Sequence, residues 1–208
     1  MPRPLRIQAP GIYHVTCRGN RRHKIFDDDF DRERYLALVD LVARKLRWRL
    51  LAYCLMTNHV HLVMDVPAGT LSRGMQLLSG RYAQAYNLRH GWVGHLFQGR
   101  FHSEIVDTDE YSLEVGRYVV LNPKRAGMVK RAVHWRWSSL PAVLGRERVP
   151  AFLDANWTLR QFGRTLDRAR AAYAAFVEAG VGLGRPSGTG ISRGQTPGRV
   201  PPGRVPDD

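Results

Sequence analysis

The sequence has few cysteines, few acidic residues and no long hydrophobic segment. Its 208 residues include only two cysteines, Cys17 and Cys54, which excludes a disulfide framework and a four-cysteine zinc site. No apolar run approaches the roughly 20 residues that span a bilayer. The stretch MPRPLRIQAPG at the N-terminus lacks the apolar region of a signal peptide. We therefore expect a cytoplasmic protein with no membrane partner.

Acidic residues are outnumbered by basic ones. The chain carries 32 Lys and Arg against 18 Asp and Glu, which gives a formal net charge of +14. Such a charge favours a phosphate-rich polymer as the partner, because neutralising phosphates drives nucleic-acid binding. Hydrophobic residues make up 44% of the chain, which is enough for a globular core. We therefore expect a folded, nucleoid-associated protein that binds nucleic acid.

Hydrophobic periodicity predicts an α+β fold. The predicted strands are 11–19, 48–56, 59–66 and 102–107. The predicted helices are 27–47, 71–90 and 108–123, the last of them stopping at Pro123. The order strand, helix, strand, strand, helix, strand, helix is typical of a ferredoxin-like or RRM-like antiparallel sheet with helices packed on one face.

The composition divides the chain into three parts. Residues 1–148 contain the predicted sheet and its helices and form the principal domain. The composition of residues 149–184 predicts a helical C-terminal extension. Residues 185–208 are almost entirely Gly, Pro, Ser, Arg and other polar residues, a composition that predicts a disordered basic tail.

Two histidines stand in the apolar strand HVHLVMDV. His59 and His61 are two residues apart, so on a strand their side chains point to the same face. Two imidazoles buried without partners would be costly, and both can approach one metal ion. Two separate histidines on a half-polar sheet face remain the alternative, since His-x-His alone is a weak motif.

Residues for the rest of a metal site occur on the last predicted helix. Tyr118 and Asn122 are four residues apart and share a helical face. Asn122 precedes Pro123 at the end of this helix, where its amide oxygen is free to bind a ligand. A core tyrosine and a helix-capping asparagine are the alternatives, and each residue taken singly fits them.

Three blocks in this order resemble a known family. TNHVHLV, GHLFQGRF and GRYVVLNPKRAGMV together are similar to the single-tyrosine HUH transposases, and most similar to their REP-associated tyrosine transposase branch. The resemblance extends over roughly residues 10–144. It implies that Tyr118 is the nucleophile and that His59, His61 and Asn122 are metal ligands. Some family members have Gln at the position of Asn122, which retains an amide oxygen.

The resemblance also implies a reaction and a substrate. A free phenol ionises only near pH 10, so its attack on a phosphodiester needs help from a metal. The family implies Mg²⁺ or Mn²⁺, although imidazole ligands also suit Zn²⁺. Such an enzyme cleaves and rejoins single-stranded DNA beside short hairpins (REP-like elements) through a 5′-phosphotyrosine, as a monomer or a homodimer. The candidate DNA-binding residues are Arg18, Arg21, Arg22, Lys24, Arg100, Lys124 and Arg125.

Several alternatives stay open at this point. Tyr111 lies seven residues before Tyr118 and is either a second nucleophile or a core residue. Asp65 shares the strand parity of the histidines and could join the metal shell, whereas Glu104 and Asp107 are weaker candidates. At the level of function, a non-catalytic single-strand binder on an RRM-like sheet would need neither the histidine pair nor the tyrosine. A metal-dependent hydrolase that uses water would be expected to carry more carboxylates near the histidines.

Overall fold

The computed structural model describes residues 9–186, and the predicted order of elements is confirmed within them. The strands are β1 Gly11–Arg18, β2 Arg49–Leu55, β3 His59–Val66 and β4 His102–Val106. The first three α-helices are α1 Asp29–Leu46, α2 Leu71–His90 and α3 Asp109–Arg125. Most of the predicted tail, residues 187–208, lies outside the described residues.

The four strands form one antiparallel sheet in the order β2-β3-β1-β4. The antiparallel α+β fold is therefore confirmed. β3 and β1 are the two central strands, and their register places Thr16 opposite His61. On its other side β1 pairs with β4, where Thr16 is opposite His102. This register brings side chains of three strands together around His61.

The helices divide between the two faces of the sheet. α1 and α2 pack together on one face, where Tyr35 and Leu78 share a buried cluster with Leu62 of β3. α3 covers the opposite face, where Val119 packs in a second cluster with Val63. The expectation of helices on one face thus holds for α1 and α2, and α3 departs from it. The reason is that β2 is apolar and buried at both parities over residues 50–55, so each face of the sheet needs cover.

The side chains of β3 alternate between these two environments. Leu62 faces α1 and α2, whereas Val63 faces α3. His59 and His61 have the parity of Val63 and therefore lie on the face that α3 covers. The sheet in this way presents both histidines to the helix that carries Tyr118 and Asn122.

α3 does not stop at Pro123 as predicted but continues to Arg125. Pro123 has no N–H to donate to the carbonyl of Val119, one turn earlier. The side-chain amide of Asn122 donates to that carbonyl at 3.3 Å and to the carbonyl of Tyr118 at 3.0 Å. A side-chain donor thus replaces the missing backbone donor, and the last turn stays helical.

The predicted C-terminal extension, residues 149–184, packs against the sheet and α3. It contains the helices α5 Ala155–Arg160 and α6 Leu166–Ala179, which follow a short helix, α4, Leu140–Val143. Tyr173 and Val177 of α6 are buried in the same cluster as the sheet. The guanidinium of Arg117 in α3 lies 4.3 Å from the Phe176 ring centroid, so α6 also braces α3. Among residues 9–186, no helix has the length and apolarity needed to cross a bilayer.

Candidate active site

The face of the sheet under α3 carries a group of imidazoles. The ring centroids of His59 and His61 are 4.9 Å apart, as expected for neighbours of equal parity on one strand. His14 of β1 adds a third ring, which stacks on His61 with a centroid separation of 5.2 Å. His14 was not among the predicted site residues, although its alternation with Val15 in the strand GIYHVTCR places it on the same face as Thr16.

His61 is held at one of its two ring nitrogens. Its Nδ1 lies 3.0 Å from Nε2 of His14 and 3.2 Å from the hydroxyl oxygen of Thr16. Both histidines are buried, and only 3% of His14 is exposed. Burial lowers the pKa of His61 well below its ordinary value and, with Arg185 nearby, lowers the pKa of His14 to about 4. Both rings are therefore neutral at physiological pH.

His59 is held in the same manner. Its Nδ1 lies 2.7 Å from the amide oxygen of Asn58. Burial, together with the charge of Arg18, lowers the pKa of His59 to about 4. A neutral imidazole whose Nδ1 is hydrogen-bonded offers Nε2 to a metal, the usual arrangement of metal-bound histidines. The donor chemistry of His59 and His61 therefore fits a divalent cation.

α3 places Tyr118 directly against this group. The Tyr118 ring centroid lies 6.2 Å from that of His61 and 6.5 Å from that of His14, nearly perpendicular to both rings. The guanidinium of Arg125 covers the Tyr118 ring at 4.9 Å, and its Nη1 donates to the Tyr118 carbonyl at 2.9 Å. The tyrosine is thus enclosed between the histidines and an arginine.

Asn122 lies one turn beyond Tyr118, with its amide nitrogen donating to the helix backbone. This orientation turns the amide oxygen, the atom that a metal would bind, away from those carbonyls. A cavity of about 370 Å³ opens beside Tyr118 and His61, and neither His59 nor Asn122 is among its described lining residues. The structure therefore brings Tyr118, His61 and His14 together around one cavity, with His59 and Asn122 at their flanks.

Several basic side chains line the 370 Å³ cavity. Arg18 and Arg100, two of the seven predicted DNA-binding residues, line it, and so does Arg185 from the start of the predicted tail. Arg185 forms an ion pair with Glu104 of β4. Arg185 was not among the predicted DNA-binding residues, because nothing in its Gly- and Pro-rich surroundings indicates a return to the sheet.

The other predicted DNA-binding residues fall into two groups. Arg21, Arg22 and Lys24 line a second cavity of about 660 Å³, which also contains Trp92. Trp92 is 58% exposed. Lys124 lies in neither group of lining residues and instead binds Glu178 of α6 at 3.3 Å. Arg125, as described above, contacts Tyr118.

The alternative site residues have partners of their own. Asp65 forms an ion pair with Arg49 at 2.6 Å. The hydroxyl of Tyr111 donates to the carbonyl of Pro186 at 3.4 Å, and its ring packs against the cluster under α3. Glu104 accepts a hydrogen bond from His102 at 3.0 Å in addition to its ion pair. These contacts leave Tyr118 as the tyrosine that faces the histidines.

Another group of possible metal ligands lies away from this face, between α1 and α2. Ligand atoms of Asp27, Asp31 and His90 lie within 4.8 Å of one another. Nη1 of Arg89 already binds Asp31 at 2.6 Å, and His90 lies 3.0 Å from the same carboxylate. A cationic side chain thus occupies the position where a cation would bind.

Comparisons with known proteins identify the family of the chain. Residues 9–122 match a family model described as "Transposase IS200 like", a range that contains every strand and all but the last three residues of α3. A search of curated proteins found no significant match. One solved structure, a REP-associated tyrosine transposase bound to a REP hairpin, is 18% identical with a TM-score of 0.58, covering 73% of this chain and 90% of its own.

A second solved structure is a putative transposase from Deinococcus radiodurans R1. It is 17% identical with a TM-score of 0.40, covering 57% of this chain and 95% of its own. The fold of the REP-associated tyrosine transposase structure is consistent with the match of the family model, and that model covers more than half of the chain. The chain therefore belongs to the IS200-like transposase family.

Proposed function

We propose that this transposase cleaves and rejoins single-stranded DNA next to hairpins through a 5′-phosphotyrosine at Tyr118, as a member of the REP-associated branch. The observation that carries the proposal is the position of the Tyr118 ring, 6.2 Å from His61 at the wall of a 370 Å³ cavity lined by Arg18 and Arg100. A nucleophile, a metal-binding imidazole and phosphate-binding cations thus meet around one space.

His59 and His61 would hold a divalent metal through Nε2, and the amide oxygen of Asn122 would complete the set from α3. Mg²⁺ or Mn²⁺ is the expected ion. When bound, it supplies polarisation of the scissile phosphate and orientation of the bond to be broken. The protein supplies neutral imidazoles, because burial keeps both rings unprotonated.

The reaction is a transesterification at phosphorus. The phenolic oxygen of Tyr118 gives its proton to water and forms a bond to the scissile phosphorus, while the bond to the 3′ oxygen breaks and that oxygen takes a proton from water. The products are a 5′-phosphotyrosine and a free 3′-hydroxyl. A 3′-hydroxyl then attacks the same phosphorus, which restores the phosphodiester and the tyrosine. Since the covalent bond stores the energy of the cleaved linkage, rejoining needs no nucleotide cofactor.

Basic residues on two sides of the site would hold the DNA. Arg18 and Arg100 lie at the cleavage cavity, where they would bind phosphates near the scissile bond. Arg21, Arg22 and Lys24 lie at the 660 Å³ cavity, beside the exposed indole of Trp92. An exposed aromatic ring surrounded by cations is suited to an unpaired base and its backbone.

The two remaining predicted DNA-binding residues fit a supporting role better. Lys124 and Arg125 connect α3 to the C-terminal part, through Glu178 and through the carbonyl of Leu183 at 2.8 Å. We infer that the extension, residues 149–184, braces the helix that carries the nucleophile. The tail, residues 185–208, would add positive charge, and the protein would act on chromosomal DNA at the nucleoid as a monomer or a homodimer.

A denaturing gel tests the proposal. The protein is mixed with Mn²⁺ and a single-stranded oligonucleotide that carries a short hairpin, and the products are separated under denaturing conditions. We expect a covalent protein–DNA band that disappears in Tyr118→Phe and persists in Tyr111→Phe. Binding without any adduct would instead favour the non-catalytic single-strand binder. Cleavage that survives Tyr118→Phe would favour water as the nucleophile.

A further inference from the structure

Asn58, in the turn between β2 and β3, contacts two functional parts of the molecule. Its Nδ2 donates to the carbonyl of Arg22 at 2.8 Å, and its Oδ1 lies 2.7 Å from Nδ1 of His59. We propose that Asn58 is a positioning residue that couples the basic segment 20–24 to the metal ligand His59. The inference rests on the proposed function insofar as His59 binds a metal.

The two contacts determine which way the amide points. The carbonyl of Arg22 can only accept a hydrogen bond, so the NH₂ group of Asn58 must face it. The amide oxygen then faces His59, and since this oxygen also only accepts, Nδ1 of His59 must carry the proton. In a neutral imidazole the lone pair then resides on Nε2. Asn58 thereby selects the tautomer that can bind a metal through Nε2.

The NH₂ group of Asn58 binds the segment 20–24, whose backbone conformation is uncommon. Arg21 and Arg22 both have positive φ, 50° and 60°, in the left-handed region that is costly for residues with a Cβ. Backbone hydrogen bonds from Gly19 to Asn58 and from Ile25 to Thr57, 2.8 and 3.0 Å long, fasten both ends of the segment. The side-chain amide of Asn58 binds the carbonyl of Arg22, in the middle of the segment. The conformation that presents the two arginines to the 660 Å³ cavity thus depends in part on Asn58.

These contacts link the occupancy of the cavity to the state of His59. Phosphates or an unpaired base that bind Arg21, Arg22 and Lys24 would fix the carbonyl of Arg22 in the position that holds Asn58. Asn58 would then hold His59 in its metal-binding tautomer more firmly. Because linkage is reciprocal, DNA raises the affinity for metal by the same factor by which metal raises the affinity for DNA. We expect a factor of about 10, within the range typical of such couplings.

Metal titrations in the full-length protein test this coupling. The Mn²⁺ affinity is measured by the loss of the free-ion EPR signal, in a Tyr118→Phe background that cannot cleave, with and without the hairpin oligonucleotide. In the parent we expect DNA to tighten Mn²⁺ binding about tenfold. Asn58→Ala removes both contacts and should weaken Mn²⁺ binding by about 10- to 100-fold, the range for residues that orient metal ligands, and abolish the effect of DNA.

Asn58→Asp separates the two contacts. A carboxylate still accepts from Nδ1 of His59 but cannot donate to the carbonyl of Arg22. This variant should therefore bind Mn²⁺ at least as tightly as the parent without DNA, because its added negative charge favours a bound cation, and it should lose the enhancement by DNA. Asn156→Ala is the control, because Asn156 is exposed on α5 and lines neither of the two cavities. It should match the parent in Mn²⁺ affinity both with and without DNA.

The outcomes distinguish the coupling from the proposed function. A parent protein that does not bind Mn²⁺ would contradict the proposed metal site itself. A parent that binds Mn²⁺ while both Asn58 variants match it in affinity and in the effect of DNA would overturn the coupling alone. A variant-independent check is the tautomer of His59 in the metal-free wild type, read from two-bond ¹H–¹⁵N NMR correlations. We expect the proton on Nδ1, and a proton on Nε2 would overturn the inference even if a variant fails to fold.

Discussion

Nε2 of His14 lies 3.0 Å from Nδ1 of His61, so a strand β1 side chain holds a predicted metal ligand of strand β3. If Nδ1 of His61 donates to His14, Nε2 of His61 keeps its lone pair for a metal. Each of the two metal-binding histidines would then have its own partner, Asn58 for His59 and His14 for His61. The proposed metal site would then depend on these two supports as well as on its ligands.

The first prediction concerns His14. His14→Phe keeps an aromatic ring in the buried space but removes the nitrogen that lies 3.0 Å from Nδ1 of His61. We expect the Mn²⁺ affinity, measured by titration calorimetry, to fall about 10- to 100-fold. His102→Phe is the control, since His102 lines the same cavity but binds Glu104 instead. An unchanged Mn²⁺ affinity in His14→Phe would show that His14 does not support the metal site.

The second prediction concerns the effect of pH on the metal-free protein. Burial lowers the pKa of His14 and His59 to about 4, whereas an unfolded histidine titrates near 6.5. Between these values the unfolded state binds more protons, so stability is complete above pH 6.5 and falls as the pH decreases toward 4. In urea unfolding from pH 7.5 to 4.5, the free energy of unfolding of His14→Phe should fall less steeply with decreasing pH than that of the wild type. The difference in slope should correspond to about one proton. Equal slopes in the variant and the wild type would contradict the burial of a neutral His14.

The third prediction concerns Arg125. Its guanidinium stacks on the Tyr118 ring and bonds the carbonyls of Tyr118 and Leu183. Arg125→Ala should slow adduct formation tenfold or more, because small misplacements of a reacting group are costly. Binding of the hairpin oligonucleotide should change little. Lys124→Ala, which removes a neighbouring charge that binds Glu178, should leave the adduct rate within about twofold of wild type. A parallel loss of DNA binding in Arg125→Ala would instead assign it to the DNA contact.

The fourth prediction concerns two glycines of α2. A Cβ at Gly74 would overlap the Trp48 ring, whereas a Cβ at Gly80 would meet no atom within 4 Å. Gly74→Ala should therefore lower the free energy of unfolding by about 1–3 kcal/mol through overpacking. Gly80→Ala should raise it by up to about 1 kcal/mol, because alanine favours the helix. Urea unfolding of both variants tests the packing of α2, and equal effects of the two substitutions would contradict it.

Much of the fold follows from local patterns. The residues of β3 alternate so regularly that the strand His59–Val66 and the shared face of its histidines could be predicted, and both α3 and its Tyr118–Asn122 spacing follow from helical periodicity. The continuation of α3 past Pro123 could not be predicted. It depends on a side-chain donor, Asn122, taking the place of a backbone donor.

The residues that support the candidate site could not be predicted from the sequence, for a different reason. His14 meets His61 only through the register of β1 against β3, and a register is a property of paired strands rather than of either strand. Asn58 and Arg125 bind the backbone carbonyls of Arg22 and Leu183. Because every residue has such a carbonyl, the residue types do not indicate these contacts. Arg185 reaches the cavity because the chain after α6 returns across α3, which its composition does not indicate.

The most direct measurement is the chemical identity of the protein–DNA linkage. The protein is incubated with Mn²⁺ and a hairpin-flanked single strand, digested, and examined by mass spectrometry for the peptide that carries a nucleotide. We predict a 5′-phosphate ester on the Tyr118 oxygen, with a free 3′-hydroxyl on the released strand. An adduct on Tyr111, a 3′-phosphate linkage, or cleavage without any nucleotide-bearing peptide would contradict the account.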